Sequence, residues 1–156
     1  MRALIQRVQS ASVEVNQELI AEIGSGLLIL LGIEDIDTQE HANLLIEKIS
    51  NLRVFPDRTS DKELELSLID SGLEVLIVSQ FTLYAELKKG RRPDFGRAMK
   101  SALAQVVYDQ FCDKLASKLG RPVKKGKFGA HMHVSLVNDG PVTIMVDSLD
   151  LLPEKR

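Results

Sequence analysis

The residues of this chain best placed to do chemistry are Ser79, Gln80 and Thr82, with Phe81 among them. They follow Val75-Leu76-Ile77-Val78, an apolar run rich in β-branched residues that comes after the turn pair Ser71-Gly72. Such a run reads as a strand buried on both faces. On a period-two strand Gln80 and Thr82 share one face, and Ser79 and Phe81 the other. A hydroxyl and an amide emerging together from the end of a core strand can hold a polar ligand. The residue types equally allow a satisfied strand end, with hydroxyls bonded to nearby backbone.

Other candidate chemistry is thinner. There is no G-x-S-x-G elbow and no glycine-rich phosphate loop. His131 and His133 share a strand face, which can begin a metal site or simply face water. A third ligand would have to come from His41 or an acid, and none stands at motif spacing. Cys112 has no CxxC partner and reads as a packed thiol rather than a nucleophile. Two basic stretches stand out against a net charge of −2: Lys88, Lys89, Arg91 and Arg92, then Lys124, Lys125 and Lys127. They fit phosphate contacts or ordinary solvated loops equally well. Asn138-Asp139-Gly140 is a turn signal, followed by Pro141 at a strand start.

These groups need a scaffold. The 156 residues suit one domain, 1–156, with a core large enough to need no staples. One cysteine excludes an internal disulfide framework and fits a reducing compartment. No signal-peptide pattern and no membrane-length apolar run is present, so a cytoplasmic protein is expected.

The patterning predicts strands over 2–8, 12–16, 19–23 and 27–33, with a tight turn at Asn16-Gln17. A helix over 38–51 follows, then a short strand over 52–55 and a charged loop with a strand edge to residue 66. After the apolar strand at 75–78, Asp94 is expected to cap a long helix over 95–119 that ends at Gly120. Its inner side would carry Ala98, Ala102, Leu103, Val106, Phe111 and Leu115. Residues 131–137 alternate with Met132, Val134 and Leu136 inward, and the Asn-Asp-Gly turn leads into a last strand over 142–146. Strands grouped in this way, rather than alternating with helices, indicate an α+β arrangement and not a doubly wound sheet.

Three stretches in collinear order, Ser79-Gln80-Phe81-Thr82-Leu83, Lys127-Phe128-Gly129-Ala130 and Asn138-Asp139-Gly140-Pro141-Val142-Thr143, closely resemble the D-aminoacyl-tRNA deacylase family. Met1-Arg2-Ala3, Gln6-Arg7-Val8, Asn51-Leu52-Arg53-Val54-Phe55 and Pro93-Asp94-Phe95 extend the resemblance to residues 1 to about 147. The loop Lys88-Lys89-Gly90-Arg91-Arg92 departs from it, being more basic and slightly longer.

The resemblance implies an α/β fold of α+β type, with two packed β-sheets forming a barrel-like core and helices layered on one side. It implies a homodimer that hydrolyses D-aminoacyl-tRNA, and glycyl-tRNA mischarged on a non-glycine tRNA, without metal or organic cofactor. In the family the Gly-Pro peptide is cis and reaches the partner subunit's site to exclude L-amino acids; that role falls on Gly140 and Pro141.

One family reading makes Thr82 the nucleophile. The sequence shows no base beside it, which favours backbone N–H groups at Phe81 and Thr82 as an oxyanion cradle. Ser79 and Gln80 would position the ester. Phe128, Gly129 and Ala130 would line the adenosine pocket. Lys88, Lys89, Arg91 and Arg92 would meet tRNA phosphates. The competing expectation is a nucleic-acid-binding protein without catalysis.

Overall fold

The computed structural model describes residues 1–153. Its spine is one strand, β1 (Arg2–Val15), where the sequence suggested two. No glycine or proline interrupts 2–15, so nothing there can turn the chain. The polar pair Gln9-Ser10 only shifts the pairing register near Val8 and leaves the strand unbroken. The Asn16-Gln17 turn has φ +50° and +66°, the twist that a tight hairpin needs. It leads into β2 (Glu18–Ile23), which pairs antiparallel with the far half of β1. The near half of β1 pairs with β3 (Gly26–Gly32).

From β3 the chain runs through α1 (Gln39–Asn51), a β4–β5 hairpin (Phe55–Asp57 and Lys62–Leu66) and α2 (Leu68–Ser71). The short predicted strand thus lies across Pro56 rather than before it, on a two-stranded edge where a missing donor is tolerated. Next, β6 (Glu74–Ser79) lies parallel to β3, and β7 (Lys124–Lys125) lies parallel to β6. The last strand, β8 (His133–Asp147), runs along the other edge of β1 over almost its whole length. The result is a mixed α/β fold with a nearly closed, barrel-like sheet and helices packed on one side.

Two apolar clusters explain the uninterrupted runs in β3 and β6. Leu28, Leu76 and Val78 point into the barrel with Val8, Ala11, Val13 and Ile23. Leu27, Ile29, Leu31, Val75 and Ile77 face the other way, against α1 and α3 (Ser101–Leu119). Tyr108 of α3 donates its hydroxyl to the Ile77 carbonyl at 2.8 Å, pinning that helix to β6. Cys112 is buried beside it, and desolvation pushes its thiol up to about 12, so it stays a neutral core group.

Three details differ from the patterning. First, α3 starts at Ser101 and not at Phe95. Asp94 does not cap it. Its carboxylate accepts the Gly96 N–H at 2.9 Å, and its backbone bridges Glu86. This local Asx turn competes with helix. Second, Ala102, Leu103 and Val106 lie on the exposed side; the buried positions are Ala104, Tyr108, Phe111, Cys112 and Leu115. The later start does not itself move the stripe. Its phase is set by Tyr108 and Phe111, the largest side chains available to fill the space over β6. Third, Asn138-Asp139-Gly140 is not a hairpin turn. Residues 133–137 and 143–147 both pair antiparallel with β1, so they are one strand with a bulge. Leu136, expected inward, is exposed there.

No helix of the described residues is long and apolar enough to cross a membrane.

The ends of β1 and β8 are tied by Arg2, whose Nε donates to Asp147 Oδ2 at 2.8 Å. Burial alone would raise the Asp147 carboxyl. The Arg2 hydrogen bond and the Leu149 N–H outweigh it and hold the group below its ordinary value. A carboxylate depressed in the folded state stabilises above the ordinary pKa, and that contribution is lost as pH falls through the folded value. Asp147→Asn should therefore lower Tm at pH 7, by about 1 kcal/mol of stability. It should also flatten the loss of Tm below about pH 4 relative to the parent, as read by thermal melts across pH.

Candidate active site

Strand β6 ends at Ser79 because Gln80 leaves the extended region, at φ −146° and ψ 83°. The Gln80 N–H is still held by the Leu31 carbonyl at 2.8 Å. Phe81–Tyr84 then form one 3-10 turn, closed by Ala85 N–H to the Thr82 carbonyl at 3.1 Å. Gln80 and Thr82 thus meet across a turn rather than on a strand face: Gln80 Nε2 donates to Thr82 Oγ1. The first N–H groups of a helical turn have no partner within it. Those of Phe81 and Thr82 find no acceptor among the described residues, and both residues are exposed.

A cleft of about 610 Å³ opens beside this turn. Ser79, Gln80 and Phe81 line it from one side, and Phe128, Gly129 and Ala130 from another. The residues expected to hold the ester and the adenosine therefore share one cavity, and His131 lines it too. Thr82 is next to it but not on its wall. The Thr82 hydroxyl has Gln80 as its one hydrogen-bond partner among the described residues, so no base is bonded to it. The Phe81 ring, 56% exposed, meets Phe95 edge-on at 5.0 Å between centroids. The loop that precedes α3 thereby becomes a third wall.

Gly140 and Pro141 lie elsewhere on this chain, in the β8 bulge. Four residues, Asp139 to Val142, stand opposite the single residue Arg7. The Gly140-Pro141 peptide is cis, and Gly140 has φ +129°, a conformation that L side chains rarely adopt. Both residues are exposed and neither lines the cleft of its own chain.

What holds the bulge is Arg7, which sequence reading did not single out for a role of its own. Its side chain is nearly fully buried. Nε donates to the Asp139 carbonyl at 3.1 Å, and Nη1 donates to the carbonyls of Val54 at 2.9 Å and Glu63 at 3.1 Å. Asn138 closes the other side by accepting the Val142 N–H at 3.2 Å and donating to Thr143 Oγ1 at 2.8 Å. The signal for Arg7 was present: it continues the inward set Ala3, Ile5 with a charge, and a buried charge needs partners.

The family model described as D-Tyr-tRNA(Tyr) deacylase matches residues 4–147. The chain belongs to this family. It is 49% identical over 148 residues to a D-aminoacyl-tRNA deacylase of Parabacteroides distasonis, covering 95% of this chain and 97% of that one. A solved structure described as "c-Myc DNA Unwinding Element Binding Protein" superposes with a TM-score of 0.89 at 46% identity, over 94% of this chain and 98% of that one. Another, "Structural Analysis of a probable eukaryotic D-amino acid tRNA deacylase", gives 0.78 at 20% identity with the same coverage and bears on the fold alone.

Membership makes the chain a hydrolase of the deacylase class, and its surface can be sorted accordingly. Lys88, Lys89, Arg91 and Arg92 are all exposed, on a loop closed at its base by the Glu86–Asp94 bridge. None forms an ion pair among the described residues. In the second basic stretch Lys125 is paired with Asp109 at 3.0 Å, whereas Lys124 and Lys127 are exposed. The His131 and His133 rings stand 5.2 Å apart. His41, the suggested third ligand, is instead buried at the start of α1, where its Nδ1 accepts the Thr38 N–H at 3.0 Å.

Proposed function

We propose that the chain hydrolyses the ester joining a D-amino acid to the 3′-terminal ribose of tRNA, and that it also clears glycine from non-glycine tRNAs. The observation that carries the chemistry is the pair of unpartnered N–H groups at Phe81 and Thr82, presented at the rim of the cleft. Such donors stabilise the oxyanion that forms when a nucleophile adds to the ester carbonyl, about 10²–10³-fold in rate for each donor.

Water attacks, assisted by the adjacent 2′-hydroxyl of the terminal ribose. The ester C–O bond breaks, and the ribose 3′-oxygen leaves with a proton. Ser79 and Gln80 position the ester, and Phe128, Gly129 and Ala130 receive the adenosine. Thr82 Oγ1 is a poor nucleophile here, since its one partner is an amide donor and not a base.

Selectivity is placed on a second copy of the chain. Gly140 and Pro141 are exposed on β8, a 15-residue strand paired on one side only, with Val137 and Met145 about half exposed along it. A long free edge with apolar side chains favours association. Docked against the partner's cleft, the Gly140-Pro141 main chain would form a rigid wall where an L side chain must go. Exclusion by backbone is indifferent to which D side chain arrives. Glycine, with no side chain, passes the same wall.

The second reading, nucleic-acid binding without catalysis, is favoured by the exposed basic loop and by the likeness to the 46% identical DNA-unwinding-element binding protein. Both readings use Lys88, Lys89, Arg91 and Arg92, for acceptor-stem phosphates in the first.

Three experiments test these points. A D-aminoacyl-tRNA ending in a 2′-deoxy ribose should be hydrolysed far more slowly than the normal substrate, while Thr82→Ala should retain turnover. A normal rate on the deoxy substrate would refute the mechanism, as would a folded, tRNA-binding Thr82→Ala protein with no activity. Replacing the four loop cations by Gln should raise KM and flatten its dependence on salt, by about 0.7–0.9 in log–log slope for each phosphate no longer neutralised. An unchanged slope would return the loop to ordinary solvated surface.

A further inference from the structure

Tyr84 ends the turn that carries Phe81 and Thr82, and it is only 1% exposed. Two guanidiniums pack on its ring: Arg2 at 4.6 Å and Arg97 at 5.7 Å from the centroid. Both distances lie within cation–π range. Each arginine is itself tied down. Arg2 donates through Nη1 to the Leu83 carbonyl at 2.9 Å and through Nε to Asp147. Arg97 Nε donates at 2.6 Å to Glu34, which is buried, and the Arg97 carbonyl accepts the Asp35 N–H at 3.1 Å.

Behind the turn stands Gly32. A Cβ there would come within 3.1 Å of the Gln80 carbonyl and Leu83 Cβ, and within 3.2 Å of Tyr84 Cε2. The turn is therefore held against β3 from behind and gripped at its end by two cations. The Tyr84 hydroxyl takes no part, since it has no partner among the described residues. Burial, then the negative charges of Asp37, Asp147 and Glu34, push its ionisation far up, so it is neutral at any working pH.

We propose that Tyr84, gripped by Arg2 and Arg97, is a positioning residue for ester hydrolysis: its ring fixes the 3-10 turn so that the unpartnered Phe81 and Thr82 N–H groups keep their place beside the cleft. This rests on the oxyanion reading above. Arg2 and Arg97 come from distant parts of the chain, the first strand and the segment before α3, and the ring is where their ion pairs converge on the site. The required part is the ring's face and volume, not its hydroxyl.

The test uses the full-length protein, single-turnover rates at saturating enzyme, and affinity for a D-aminoacyl-tRNA analogue with an amide in place of the ester. Tyr84→Leu should slow hydrolysis by about 10²-fold, the scale of a misplaced catalytic group, at unchanged affinity for the amide analogue. Tyr84→Phe, which keeps the ring, should retain the wild-type rate. A folded Tyr84→Leu protein with the wild-type rate would overturn the proposal, and so would a Tyr84→Phe loss as large as that of Tyr84→Leu. Should Tyr84→Leu fail to fold, Arg97→Gln decides: a slower rate at unchanged affinity supports the proposal, and an unchanged rate overturns it. Wild-type protein that leaves the D-ester intact would instead refute the function itself, so the two failures are distinguishable.

Discussion

A strand buried on both faces must leave the sheet where its sequence turns polar, and the site depends on where β6 does so. Leu76 and Val78 fill the barrel while Val75 and Ile77 meet the helices, so neither face can accept Gln80 or Thr82 as a continuation. The last ladder bond, Gln80 N–H to Leu31, fixes the point of departure. The 3-10 turn that follows leaves its first N–H groups without internal acceptors. Polar backbone left open at a cleft is a consequence of how the core strand stops.

The other half of the design rests on a buried cation. Arg7 sits where the alternation of β1 demands an apolar side chain, and it meets three carbonyls from three different segments. Those contacts tie the β4–β5 region to the β8 bulge and hold Gly140-Pro141 outward on a rigid base. Removing the arginine would leave the buried Val54 carbonyl unpaired, at about 1–3 kcal/mol, and release the partly buried carbonyls of Glu63 and Asp139. The contacts hold this element in one shape, which the proposed exclusion of L-amino acids requires.

Much of this was legible in the residues. The runs in β3 and β6, the Asn16-Gln17 hairpin, the helix after Thr38 and the stop at Gly120 each have a local physical signature, and each is where that signature puts it. The collinear motifs pointed to the family from sequence alone. What local signals missed was decided at long range. Asn138-Asp139-Gly140 has turn chemistry, but β1 offers one continuous ladder to both flanks and converts the turn into a bulge. Asp94 has cap chemistry, but its carboxylate is taken up by Gly96, and the long helix waits until Ser101. Leu103 and Val106 are apolar yet outward, because Tyr108 and Phe111 set the buried phase of α3. Arg7 stands out in the sequence only as a charge in an inward set; what it holds, and what grips Tyr84, is decided by partners distant in sequence.

On the proposed reading, a backbone cradle on one chain and a backbone wall from a second copy would together make an ester hydrolase that sorts by handedness. Purified protein incubated with one tRNA carrying either the D or the L form of the same amino acid, with ester loss followed over time, puts this to the test. Rapid loss of the D-ester with the L-ester left intact is the expected result. Equal hydrolysis of both, or of neither, would contradict it.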